Sequence, residues 1–282
     1  HFVWLRCQME AASLLTPWLA PCVLADLRVM QADELGEGTG EGGCGGRAGM
    51  SRGLVREICA STWAGPLMLY RGALVRPLRS RVKLRGLAAS GRRTGRWADM
   101  ATGLVFMGRP VQEGGGLAPL WEARPQPASG RELDCAEWYR RQGIGQELQL
   151  LSRVSAGPGG ALEADLEERS VVALEGARSY NVWLAAVEGM LQGAAMAFDF
   201  DPPRVQGPFS LFKIGVVLLG GKPSGWPLRL SVKRIWDAQG VVHCDAQAVD
   251  PAGACVACAT NIEFDGARPA SMAERQGTEG AR

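Results

Sequence analysis

Residues 182–198, VWLAAVEGMLQGAAMAF, predict a helix with a single charged side chain, Glu188, among apolar or small residues on every side. A helix on the surface of a soluble protein keeps a polar face; one that is apolar all round has to be enclosed by the rest of its chain. The segments that follow alternate in the manner of strands, so the predicted enclosure is a strongly curved sheet. A lone carboxylate inside such a helix is costly unless it is paired, and desolvation raises its pKa toward the range useful for a general acid. Gln192 lies four residues on, hence on the same face, where its amide can orient the carboxyl group. The plainer alternative places Glu188 at a solvent-exposed window of the helix.

The remainder of the chain suggests that this unit occurs twice. PLRSRVK at 77–83 returns as PLRLSVK at 227–233, and ATGLVF at 101–106 returns as ATNIEF at 259–264, in the same order. Each half also opens on a small-residue-rich helical segment, CQMEAASLL in the first and LAAVEGMLQGAA in the second. Two echoes in order favour a duplicated unit. The predicted organisation is an N-terminal unit at 1–108 with a Gly-rich insertion at 36–49, a Gly- and Pro-rich linker at 109–130, a C-terminal unit at 131–266 and a disordered tail at 267–282. The insertion contains overlapping GxGxxG patterns, but no strand leads into it and no βαβ unit surrounds it, so it reads as a flexible loop rather than a nucleotide cradle.

Composition narrows the function classes. With 46% hydrophobic residues, 21% charged residues and a net charge of +2, the chain has ordinary globular composition and lacks the basic excess of a dedicated nucleic-acid binder. Its apolar stretches are interrupted too early to span a membrane. The opening HFVWLRCQMEAASLL has no signal-peptide pattern, and the chain reads as a piece of something longer, in the cytoplasm. The eight scattered cysteines suit a reducing compartment. Cys255 and Cys258 form a lone CxxC in what reads as a strand, where residues three apart point to opposite faces, so a zinc site is not expected. From Arg71 to Arg96 the charged residues are all basic, and Arg81, Lys83 and Arg85 alternate with apolar residues on one exposed strand face: a solvated surface, or a docking patch for an acidic partner or a phosphate-bearing arm.

Several segments, in order, resemble the dehydratase domains of modular polyketide synthases and animal-type fatty acid synthases. WYRRQGIGQELQLLSRV (138–154) is similar to the entry into that family's YGPxFxxL motif, with Gly145, Leu148 and Leu151 in matching places and Ile144 and Gln146 where the family has Tyr and Pro. VEGMLQGA (187–194) resembles the LDAxLQA of its catalytic helix, which puts Glu188 on the catalytic Asp and Gln192 on the matching Gln; Trp183 and Leu184 stand where the family has HP. GPFSLFKIGVVL (207–218) resembles its PFSWxxVRL strand, and CDAQAVDPAGACVACATNIEF (244–264) its closing hairpin. PCVLADLRVMQ (21–31) and GRWADMATGLVF (95–106) are fainter counterparts in the first half.

The resemblance implies an α+β double hotdog, two curved antiparallel sheets each wrapping a central helix. It implies removal of water from 3-hydroxyacyl chains presented on the phosphopantetheine arm of an acyl carrier protein, with no cofactor of the domain's own. Glu188 would be the general acid and Gln192 its orienter, with Gly145 and Leu148 at the substrate and Arg81, Lys83 and Arg85 toward the carrier. Neighbouring synthase domains and a second copy of the chain are the other implied partners. The family's base is a His in an HxxxGxxxxP motif; neither His1 nor His243 fits it, which places the implied base ahead of residue 1. The alternatives are a product-template-like or isomerising hotdog domain, and a catalytically degenerate domain retained for structure and dimerisation.

Overall fold

Alternation sets the sheet. In β4 (Ala73–Leu87) the side chains of Leu78, Ser80 and Val82 are buried, while Arg79 is exposed and Arg81 and Lys83 are partly so. This period of two is what a strand with one covered face requires. The computed structural model of the chain describes residues 20–29, 55–70, 73–87, 93–108, 117–121, 131–157, 160–168, 181–200, 210–236 and 242–265. The expected first-half helix at 7–15, the insertion and the tail lie outside the described residues.

The first half contributes β1 (Ala20–Val29), β2 (Val55–Ala64), β3 (Met68–Tyr70), β4 and β5 (Arg93–Gly108). The second contributes β6 (Arg131–Glu132), helix α1 (Cys135–Gln142), β7 (Leu151–Ala156), β8 (Leu162–Leu166), helix α2 (Asn181–Phe200), β9 (Ser210–Leu219), β10 (Leu228–Trp236), β11 (Val242–Val249) and β12 (Cys255–Asp265). Among the described residues the strands form one antiparallel sheet in the order β2-β4-β5-β1-β9-β12-β11-β10-β8-β7-β6, with β3 on β4. Outward from the β1–β9 seam, β5, β4 and β2 on one side mirror β12, β11 and β10 on the other, and both sets run in the same chain order. That is the signature of a duplicated unit.

One of the two sequence echoes matches this symmetry and the other does not. Residues 101–106 and 259–264 lie in β5 and β12, which are equivalent. Residues 77–83 lie in β4, whereas 227–233 lie mainly in β10, the counterpart of β2. The PLR echo therefore reflects the common alternation of amphipathic strands rather than equivalent positions.

Helix α2 packs on β7, β8, β10, β11 and β12, and Trp183 through Ala194 are all buried. Its small residues have a physical use. A Cβ on Gly189 would stand 3.1 Å from Leu230 and one on Gly193 would stand 3.1 Å from Val232, so the helix lies close on the sheet. Facing strands answer with Ala246, Ala248, Ala257 and Ala259, all fully buried. No helix of the described residues is long and apolar enough to cross a membrane.

Within the expected linker, residues 117–121 are strapped across the sheet face opposite α2. Leu117 bridges Cys255, and the Leu120 and Trp121 N–H groups donate to Gln247 Oε1 at 2.8 and 3.4 Å. Gln247 Nε2 donates back to the Trp121 carbonyl at 3.0 Å, Trp121 Nε1 donates to Ser231 Oγ at 3.1 Å, and Lys233 Nζ sits 4.3 Å from the Trp121 ring centre. Beneath the strap, a bulge where β12 meets β11 interrupts the strict alternation. It brings the Cys255 and Cys258 thiols into a hydrogen bond, contrary to the opposite-face expectation. That bond, together with burial, holds the Cys255 thiol far above its ordinary pKa.

Gln247→Leu removes three of the strap's hydrogen bonds and strands two backbone donors. The variant should lose about 2–4 kcal/mol in urea unfolding, with the midpoint falling and the slope unchanged.

Candidate active site

The site begins with a short helix stopped at both ends. Asp134 caps α1 by accepting from the Glu137 N–H at 3.0 Å, and Gly143 terminates it in the left-handed region at φ 66°. Its solvent side carries Glu137, Arg140 and Arg141, so Trp138 and Tyr139 turn inward and meet edge to face with ring centres 5.3 Å apart. The chain then passes through a 3₁₀ turn at Gln146–Leu148 into β7. This delivers the Leu148 carbonyl and the Leu151 N–H to the flank of α2.

These groups determine how Gln192 is held. The Leu151 N–H, which can only donate, reaches Tyr139 Oη at 2.9 Å. The Tyr139 hydrogen is thereby directed to Gln192 Oε1 at 2.8 Å. Gln192 Nε2 is left to donate to the Leu148 carbonyl at 2.8 Å and to Glu188 Oε1 at 3.1 Å. The order of donors and acceptors is fixed by a backbone amide at one end and a backbone carbonyl at the other. The amide therefore presents an N–H to Glu188 whatever the carboxyl's charge.

Glu188 is 6% exposed, which excludes the solvent-window alternative. Burial raises its carboxyl pKa above the ordinary 4.5, and the Gln192 hydrogen bond works in the other direction. Among the described residues Glu188 Oε2 is buried with no partner. A cavity of about 120 Å3 adjoins it, whose lining includes Trp138, Ile144, Glu188, Gln192, Ala195 and Phe264. A neutral carboxyl with one oxygen oriented and the other unpaired can transfer a proton to a group in that cavity.

The structure joins Glu188 and Gln192 as the sequence places them. Leu148 serves through its carbonyl and Gly145 is exposed; neither is in the cavity lining. Arg81 and Lys83 lie on the first-half sheet, where Arg81 lines a groove of about 570 Å3 with Arg28, Arg79 and the exposed Trp63. The side chain of Arg85 and all of His1 lie outside the described residues. His243 is on β11 opposite Ile235, away from the cavity lining. Among the described residues no cluster of His, Cys, Asp and Glu could hold a metal. Sequence reasoning missed Trp138 and Tyr139; the available signal was their adjacency on the apolar side of a short, strongly amphipathic helix.

Two outcomes follow for stability. Because Glu188 is protonated when folded and ionised when unfolded, native stability falls as pH rises from 4.5 through the raised folded pKa. Glu188→Gln removes that dependence, so its thermal midpoint should exceed the wild type's by an amount that grows over the same interval. Tyr139→Phe leaves the Leu151 N–H without its acceptor and Gln192 Oε1 with only the long Leu150 N–H at 3.5 Å, and should cost about 1–3 kcal/mol in chemical denaturation.

The sequence matches no protein-family model and no curated protein. Solved structures do match. The dehydratase domain from the CurF module of Curacin polyketide synthase is 10% identical, with 94% of this chain and 83% of that one covered at a TM-score of 0.54. The dehydratase domain from the CurJ module of the same synthase is 15% identical, with the same coverage and a TM-score of 0.53. The dehydratase domain of the polyketide PpsC from Mycobacterium tuberculosis is 13% identical, covering 93% and 82% at 0.51. Identities this low speak for fold alone, and they agree with the mirrored strand order: the chain has the α+β double hotdog fold of polyketide synthase dehydratase domains.

Proposed function

We propose that the chain is a dehydratase domain of a multienzyme synthase, removing water from 3-hydroxyacyl thioesters carried on the phosphopantetheine arm of an acyl carrier protein. The observation that carries this reading is the buried Glu188 carboxyl, with one oxygen held by Gln192 and the other unpaired among the described residues beside a small cavity. In the proposed step a base takes the C2 proton of the substrate, and that electron pair forms the C2–C3 double bond. The C3–O bond breaks as Glu188 gives its proton to the departing hydroxyl, which leaves as water. Glu188 is then ionised, and the Gln192 N–H strengthens as the carboxylate forms. The base's proton restores the acid for the next cycle. The base itself is assigned to residues outside those described, since His243 is not in the cavity lining.

For the carrier, the reading assigns the groove formed by Arg28, Arg79, Arg81 and Trp63, with Lys83 two residues further along the same strand. Its positive charge suits an acidic protein surface, and such docking weakens with salt.

The test is mass spectrometry of a 3-hydroxyacyl carrier protein incubated with this chain and with a version extended upstream of His1. The bound acyl chain should lose the mass of one water, and Glu188→Gln should slow that loss roughly 10²- to 10⁴-fold. In the same assay, the double variant Arg79→Glu, Arg81→Glu should raise KM for the carrier-bound substrate and leave kcat unchanged. No loss of water by either version, with folded protein that binds the carrier, would reverse the reading toward a domain kept for assembly.

A further inference from the structure

The cavity beside Glu188 contains a second polar residue that the fold leaves unsatisfied. Trp138 is 4% exposed, and among the described residues its Nε1–H has no hydrogen-bond partner. An indole N–H can only donate, and burying one unpaired is costly. A phenylalanine would fill the same apolar corner without that cost. The orphan donor belongs to a residue that lines the same cavity as the other orphan, Glu188 Oε2, which bears the hydrogen of the neutral carboxyl, and the two are not bonded to each other. Trp183 Nε1 is also buried and unpartnered, but Trp183 is not in the cavity lining, so its orphan N–H says nothing about a ligand there. The other polar side chain at the acid, Gln192, has both amide hydrogens committed, to Leu148 and to Glu188.

We infer that Trp138 is a substrate-binding residue: its Nε1–H donates to the 3-hydroxyl oxygen of the acyl chain, on which Glu188 Oε2 also acts. This rests on the dehydratase reading and adds the group that recognises the hydroxyl. An oxygen flanked by a carboxyl and an indole N–H satisfies both orphans at once. The donor also opposes the charge that accumulates on that oxygen as the C3–O bond stretches, before the proton of Glu188 is fully transferred. The space suits a small group: about 120 Å3 is roughly the liquid volume of four waters, enough for a carbinol and a methyl-sized substituent. Selectivity then has a chemical origin. A site with a committed buried donor favours the hydroxylated chain over its deoxygenated counterpart, which leaves the N–H unpaired.

The experiment uses the whole chain and two probes, the 3-hydroxybutyryl and butyryl amides of aminopantetheine, whose α-protons are too weakly acidic for elimination. Indole N–H resonances are followed by ¹⁵N-labelled tryptophan spectroscopy, and Trp138 is identified among the nine tryptophans by the signal lost in Trp138→Phe. The hydroxybutyryl probe should shift the Trp138 resonance downfield and the butyryl probe should not. Trp138→Phe should weaken hydroxybutyryl binding roughly 3- to 10-fold and leave butyryl binding unchanged. Hydroxybutyryl binding with the Trp138 resonance unmoved, or an equal loss for both probes, overturns the inference, as does failure of the wild type to bind either probe. The two readings separate cleanly. Dehydration of the carrier-bound substrate with an unresponsive indole leaves the dehydratase reading standing and removes Trp138 from it. A responsive indole without dehydration keeps the donor assignment for a binding site and removes the chemistry.

Discussion

Enclosing α2 is the constraint on which the rest of the structure depends. Leu184, Val187, Met190 and Leu191 have at most 1% of their surface exposed, and each such side chain contributes about 2 kcal/mol on removal from water. No single flat layer could cover a helix that is apolar on every side; a sheet that curls round it can. The curl requires close approach, and close approach explains the composition. Gly189 and Gly193 meet Leu230, Leu151, Val232 and Leu162, while the alanines of β11 and β12 keep the opposing floor shallow. In the first half, the space a Cβ on Gly103 would need is filled by Leu27 of the neighbouring strand.

Such enclosure makes any polar atom on α2 expensive, so its buried polar residues Gln192 and Glu188 need an account. Gln192 has one: both ends of its amide are satisfied by groups from α1, the turn after it and the start of β7. Glu188 is only half satisfied. Its Oε1 accepts from Gln192 and its Oε2 has nothing. A sequence selected for stability alone would place an apolar residue there, since a half-paired polar group is worse than none. Local conflict of this kind is what functional positions look like in otherwise consistent proteins.

The sequence disclosed what is periodic and hid what is tertiary. The helix at 182–198 and the Glu188–Gln192 pair were legible because four residues make about one helical turn, a fact internal to the segment. The strand character of 77–83 was equally legible, yet its partner in the other half was misassigned: alternation identifies a strand but not its place in a sheet, and β4 and β10 share a pattern without sharing a position. The relation between Cys255 and Cys258 failed for a related reason. One extra residue in the ladder cancels the period of two, and nothing in GACVACATNIEF announces it. Tyr139 is more instructive. Its role depends on a hydroxyl meeting a backbone N–H twelve residues away and an amide on another helix, and no spacing rule encodes that encounter.

The protonation balance at Glu188 explains why the acid is held as it is. Desolvation favours the neutral carboxyl, the form that can give a proton, while the Gln192 hydrogen bond favours the carboxylate. If burial acted alone, the acid would be so weak that parting with its proton would itself be uphill; if the carboxyl were well solvated, it would be ionised near neutrality and have nothing to give. For the proposed general acid, burial sets the direction, a raised pKa, and the Gln192 hydrogen bond to Oε1 opposes it. The same arrangement governs the return step. Once the proton has gone, a carboxylate in this site has a single donor and no counter-charge among its hydrogen bonds, so recapturing a proton is strongly favoured. Extra donors to Oε2 would stabilise the carboxylate and slow that recovery, so leaving Oε2 bare serves both halves of the proposed cycle.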